Sequence, residues 1–236
     1  MDKVSEDKPH RSLPLVSVER RIKERWIVVL LAVAAAALYA FSLTVPWWHF
    51  TLFAPQYPKG LNLVISLTGI SGDVHEVNML NHYIGMGHID DAAIFERQMA
   101  AYGVGALGVG AILVALAVGR KLSPLMVLLG LSFPVGFLAD SVYWLYRFGH
   151  DLDPKAPLRM KVFTPQMFGE GVIGQFRTIA TPELGFFLAL AGVVCLGVAL
   201  VLRRRICGSC GRAPQCRAVC TSLLIGPRAG LPKAAP

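Results

Sequence analysis

The sequence predicts an all-α integral membrane protein, with four transmembrane helices under a small periplasmic cap made by two long outer loops. Three observations lead there. The chain is 54% hydrophobic over 236 residues, with a mean hydropathy of +0.53, which is too apolar for an ordinary soluble domain. The apolar residues gather into four stretches, each close to the roughly 20 residues that cross a ~30 Å hydrocarbon core as a helix. The cations are segregated: of 23 Lys and Arg, 16 lie before the first stretch, between the second and third, or after the fourth. By the positive-inside rule those regions face the cytoplasm, and both termini with them.

Taken in order, residues 1–25 are polar and basic and read as a cytoplasmic N-terminal segment. Residues 26–202 form the membrane domain. Its spans are 26–48, 100–118, 124–146 and 184–202, and its outer loops are 49–99 and 147–183. The first span is no cleavable signal peptide, because its apolar run is long and starts only after 25 polar residues. Trp47, Trp48 and Phe50 at its end, and Tyr143, Trp144 and Tyr146 at the end of the third, read as aromatic belts at the outer interface. In the first outer loop the alternation over 61–67 predicts a short strand. A helix is expected over 73–83, and 89–99 leads helically into the second span. The second outer loop, with Pro154, Pro157, Pro165 and Pro182, is expected to be mostly irregular. Residues 203–236 form a cytoplasmic Cys- and Arg-rich tail without an apolar core, expected to be disordered.

The net charge of +8 does not imply nucleic acid, because the cations flank apolar spans and serve as orientation signals. The outer loops hold no cysteine, so no disulfide framework holds them. Gly103-Val104-Gly105-Ala106-Leu107-Gly108 matches the dinucleotide fingerprint literally, but no strand precedes it. Small residues inside an apolar span more simply allow close helix packing. There is no nucleophile elbow, no His-Glu-x-x-His helix and no phosphate-cradling loop, and the chain is not expected to be an enzyme.

The chemistry-bearing residues lie in the outer loops, which hold five of the six histidines. His82, Met86 and His88 bring imidazole and thioether donors together, a set suited to copper, above all Cu(I). On a helix, His82 and Met86 would share one face at i, i+4. The alternative is that His82 and Tyr83 make ordinary hydrogen bonds while Met86 packs the cap. Asp140 lies inside the third span, where a carboxylate costs roughly 2.5–3.5 kcal/mol and so needs a partner or a function. It can be a metal ligand, proton relay or ligand anchor, or half of a structural ion pair. His150 and Asp153 can complete a metal site or orient its ligands. Alternatively, Asp140, Tyr143 and His150 would surround a quinone headgroup. Asp73, His75 and Glu76 make a harder, oxygen-rich set, or simply a solvated surface. In the tail, Cys207, Cys210, Cys216 and Cys220 suggest a zinc knuckle, but the spacing between pairs is short for one.

The segments Ala54-Pro55-Gln56-Tyr57-Pro58, Leu80-Asn81-His82-Tyr83-Ile84-Gly85-Met86 and 146–154 resemble a family of four-span bacterial membrane proteins. Members of that family are often encoded beside atypical nitrous oxide reductase genes, among c-type cytochromes and copper-maturation factors. The resemblance covers residues 26–202 and not the Cys-rich tail. It implies a multi-pass protein of the bacterial inner membrane and points to Asn81, His82, Met86, Asp140, His150 and Asp153. It also implies a copper cofactor and a partner such as a periplasmic copper enzyme or a c-type cytochrome, as used in denitrification. The expected function is therefore an accessory one: copper binding that supports maturation of a copper enzyme. The alternative is a metal-free membrane anchor or quinone-interacting subunit of an electron-transfer complex. The bilayer is the other expected partner, and self-association is left open.

Overall fold

The structure, a computed structural model, describes residues 15–115 and 122–208. Cys210, Cys216, Cys220 and His10 lie outside the described residues, as does the side chain of Cys207. The described elements are α1 (Leu15–Ser42), β1 (Trp48–Ala54), β2 (Tyr57–Ser66), β3 (Gly69–Gly72), α2 (Val74–Ile84), a 3-10 turn (Ile89–Asp91), α3 (Ile94–Ala115), α4 (Leu122–His150), β4 (Gly169–Ile173), β5 (Phe176–Pro182) and α5 (Leu184–Gly208).

This overturns the all-α expectation. The two segments read as outer loops meet in one five-stranded antiparallel sheet, ordered β3-β2-β1-β5-β4. The expected strand over 61–67 is the second half of β2, and its neighbours are strands too. The cause is visible in the residues. Trp48, Phe50, Leu52 and Ala54 alternate with His49, Thr51 and Phe53, the period-two pattern of a half-buried strand. Their cross-strand partners Ile65, Leu63 and Leu61 alternate in step. In the second segment, Gly174 at φ +61° supplies the left-handed residue of the short turn between β4 and β5. Pro154, Pro157 and Pro165 precede the strands, and Pro182 is the last residue of β5. The count of four spans is corrected as well. Among the described residues, two helices are long and apolar enough to cross a membrane, at Val127–His150 and Leu184–Leu202, and the apolar part of α1 is shorter, Trp26–Ser42.

The long helices run up and down, so the sheet sits at one end: α1 and α4 finish there, and α3 and α5 begin there. Small residues let the helices close up. Ala32, Ala35, Ala189 and Ala199 are fully buried. A Cβ on Gly192 would press against the Tyr39 ring at 3.1 Å.

Trp47 and Trp48, expected at an interfacial belt, are instead wholly buried. Trp47 lies among Phe133, Phe137 and Phe186, with ring centroids 4.9–6.1 Å away. Its indole N–H donates to the Ser42 carbonyl at 2.8 Å. Its backbone N–H donates to Ile65 and its carbonyl accepts from Glu183. The Trp48 indole donates to the Met167 carbonyl at 3.0 Å. The pair thus joins α1, the sheet, α4 and the start of α5. Gly185 is required beside it, because a Cβ there would lie 2.3 Å from the Trp47 ring.

Trp47→Ala should therefore cost about 3–5 kcal/mol in denaturant unfolding, the range for losing a buried aromatic. Val162→Ala, at an exposed loop position, should stay within about 0.5 kcal/mol. Equal effects of the two would contradict this assignment of the core.

Candidate ligand cavity

Two apolar clusters share Phe50. One is the tryptophan-centred cluster of the helices, and the other lies between α2 and the sheet, with Val77, Leu80 and Ile84 against Leu61, Leu63 and Phe176. Between these two clusters and the facing sides of α3 and α4 is a cavity of about 440 Å³, lined almost entirely by apolar side chains. That volume lies in the range of small-molecule sites.

The α4 wall is a helical stripe of Phe133, Phe137, Asp140, Ser141, Trp144, Leu145 and Phe148, all on the cavity. Those positions recur every three or four residues, so one face of the helix supplies them. Asp140 is half-buried. The buried Trp144 indole N–H lies beside the Asp140 carboxylate one turn earlier on the helix. Together they present one donor and one acceptor on the cavity wall. Opposite, α3 contributes Glu96, Arg97 and Ala100, and α2 contributes Asn81. The Arg97 guanidinium is anchored by donating to the backbone carbonyls of Ala93 and Asp90. Glu96 remains as a second acidic group on the wall.

The floor is held by side-chain amides. Asn78 accepts from the Ile89 N–H at 2.9 Å and donates to the Asp90 carboxylate at 2.8 Å, clamping the 3-10 turn to α2. Buried Asn81 donates to the Gly87 carbonyl at 3.3 Å. Ala93, also on the wall, takes a positive φ of 50°, a strained conformation for a residue with a Cβ.

The expected site residues are distributed differently. The i, i+4 relation of His82 and Met86 fails because α2 ends at Ile84 and Gly85 turns left-handed at φ +81°. The turn is closed by Met86 N–H donating to the Asn81 carbonyl at 2.8 Å. It sends Met86 to the cavity wall, while His82 stays on the exposed side of α2. His88 is exposed just before the 3-10 turn. His150 ends α4, stacked on Tyr146 at 3.9 Å, with Nδ1 2.9 Å from the Tyr146 carbonyl. The Asp153 carboxylate accepts from the Lys155 N–H, and the Asp73 carboxylate accepts from the Asn62 N–H. Tyr143 is exposed, its ring edge-on to Trp144. Of Asp140, Tyr143 and His150, only Asp140 reaches the cavity. Among the described residues, no group of three or more His, Cys, Asp and Glu stands close enough to hold a metal.

Two contacts do bring the donor-bearing segments together. Asp153 N–H donates to Gly85 O at 2.8 Å and Leu158 N–H donates to Tyr83 O at 3.0 Å. The chain after α4 is thereby laid across the end of α2.

Trp144, expected in an aromatic belt at the interface, lines the cavity instead, with Glu96 and the α4 phenylalanines, which the sequence analysis does not single out. Trp144 lies four residues after Asp140 and so on the same helix face. No protein-family model matches the chain, and no curated protein is detectably similar to it.

A Cβ at Gly85 would come within 2.8 Å of the Asp153 carbonyl and 2.9 Å of the Ala156 Cβ. Gly85→Ala should therefore release the 151–158 segment. It is expected to cost about 1–3 kcal/mol and to speed proteolysis within that segment. Unchanged proteolysis would show that the turn does not hold it.

Proposed function

We propose that this protein is a membrane-associated accessory subunit of an electron-transfer system, without catalytic chemistry of its own, that takes a quinone-class molecule into the cavity between sheet and helices. The observation that carries this reading is the cavity itself: an apolar chamber of about 440 Å³ whose wall holds a half-buried carboxylate, Asp140, beside the buried indole N–H of Trp144. A flat apolar ring fits the phenylalanine-lined walls. A ring carbonyl would accept from Trp144 Nε1, and a ring hydroxyl of the reduced form would donate to Asp140. Such convergence of a few polar groups on an apolar chamber is the usual form of a small-molecule site.

Membrane association is supported by α4 and α5, the two helices of sufficient length and apolarity. It is further supported by large exposed apolar side chains on every long helix, including Leu30 at 65%, Val109 at 59%, Leu128 at 62% and Val194 at 63%. Contiguous apolar surface of that kind marks contact with a membrane or a partner. In sequence, the excess of Lys and Arg lies around the start of α1, between α3 and α4, and from the end of α5 onward, which supports an orientation with the sheet on the periplasmic side of a bacterial inner membrane.

The test is equilibrium dialysis of the full chain in nanodiscs against 2-methyl-1,4-naphthoquinone, which has no isoprenoid tail. Saturable binding is expected, and Trp144→Phe should weaken it about fivefold to tenfold through loss of one hydrogen bond in a dry site. Absence of saturable binding to the wild-type protein would refute the reading.

Copper binding is the second reading. The observation favouring it is the pair of backbone contacts that draws the His150–Asp153 segment onto the His82–Met86 segment. Imidazole and thioether donors on joined segments suit Cu(I), and delivery to a periplasmic copper enzyme would follow. On this reading the purified protein binds Cu(I) near stoichiometrically, and the His82→Ala/Met86→Ala double variant loses it. Undiminished copper content in that variant would exclude the site.

A further inference from the structure

The main cavity is not the whole of the space between α3 and α4. A second cavity of about 210 Å³ lies farther along the same two helices, lined by Gly103, Ala106, Leu107 and Gly110 from α3 and Leu129 from α4. Ser132 and Phe133 line both cavities. The two spaces are therefore neighbours, meeting at Ser132 and Phe133. The second has no charged lining residue. Its α3 wall is Gly103, Ala106, Leu107 and Gly110, and the three small residues leave a furrow where larger side chains would fill it.

The surroundings of the furrow are apolar as well. Ala106 and Leu129 are exposed, and Val109 and Leu128 beside them are 59% and 62% exposed. A molecule resting there would touch the medium around the helices on one side and the main cavity on the other.

We infer that the ligand of the main cavity is a long-tailed amphiphile, whose ring occupies the chamber under the sheet and whose hydrocarbon tail leaves past Phe133 into the furrow between α3 and α4. This rests on the proposed function and names the class of molecule more narrowly: a tailed lipid-phase quinone, in place of a small water-soluble one. The polarity of the two spaces decides the direction. Asp140, Trp144, Ser141 and Glu96 line the first space and none of them the second, so the polar ring belongs under the sheet and the tail along the furrow. The small residues of α3 here serve the ligand, where the sequence suggested they serve helix contact alone.

Two substitutions narrow the furrow from exposed positions without entering the main cavity: Ala106→Phe and Leu129→Trp. The full chain in nanodiscs is titrated with two probes, 2-methyl-1,4-naphthoquinone and the same ring carrying a long isoprenoid tail. The wild type should bind the tailed probe more tightly. Each variant should lower affinity for the tailed probe about tenfold, because the added ring overpacks the space the tail occupies. Affinity for the tailless probe should be unchanged, which also reports that the variant is folded. Three results would overturn the inference: unchanged affinity for the tailed probe, an equal loss for both probes, or wild-type binding of the tailless probe with no gain from the tail. If neither probe binds the wild-type protein, the proposed function falls and this inference with it.

Discussion

The fold depends on two adjacent tryptophans that have almost no surface. Trp47 and Trp48 sit where one helix ends and the sheet begins, and their side chains point into the helical core while their backbone runs into β1. Each indole N–H is satisfied by a backbone carbonyl, from Ser42 and Met167 respectively, so burying these large rings leaves no polar atom stranded. The start of α5 passes so close that only glycine fits at position 185. Sheet and bundle are consequently one body at this joint, and the cavity exists because the joint holds the sheet a fixed distance above α3 and α4.

The chamber follows from an imbalance in packing. On one side α1 and α5 press together through alanine and glycine. On the other, α3 and α4 meet less intimately, and the phenylalanines of α4 line open space. A domain that wanted only stability would close that gap, since unfilled apolar volume forfeits dispersion contacts. The open gap, with an indole donor and a carboxylate on its wall, is the feature on which the proposed ligand site rests.

Much of the helical framework was legible in the amino-acid sequence, because long apolar runs admit few other structures. The apolar stretch of the fourth span is the start of α5, and the expected helix over 73–83 is α2 to within a residue at each end. The sheet is less legible for two reasons. The alternation over 48–54 adjoins Trp47 and Trp48, which in sequence look like residues of an interfacial belt. In the second segment four prolines suggest irregular chain, yet three precede β4 and the fourth, Pro182, only ends β5. The site was less legible than the fold. A histidine- and methionine-rich string is conspicuous, whereas a face shared by Phe133, Asp140 and Trp144 appears only when positions are counted around a helix. Nothing in composition announces that Gly85 will turn left-handed and part His82 from Met86. That is a matter of three-dimensional closure against Asp153.

The length of α4 carries a consequence of its own. Its 29 residues extend about 44 Å, well beyond a ~30 Å hydrocarbon core, so on the membrane reading its final turns stand at or above the headgroup level. Asp140 then lies near the boundary between oil and water, and the chamber straddles it. For a ligand dissolved in lipid, occupancy would be governed by its mole fraction in the bilayer. Two preparations with equal aqueous dose and different lipid content would therefore load the protein to different extents.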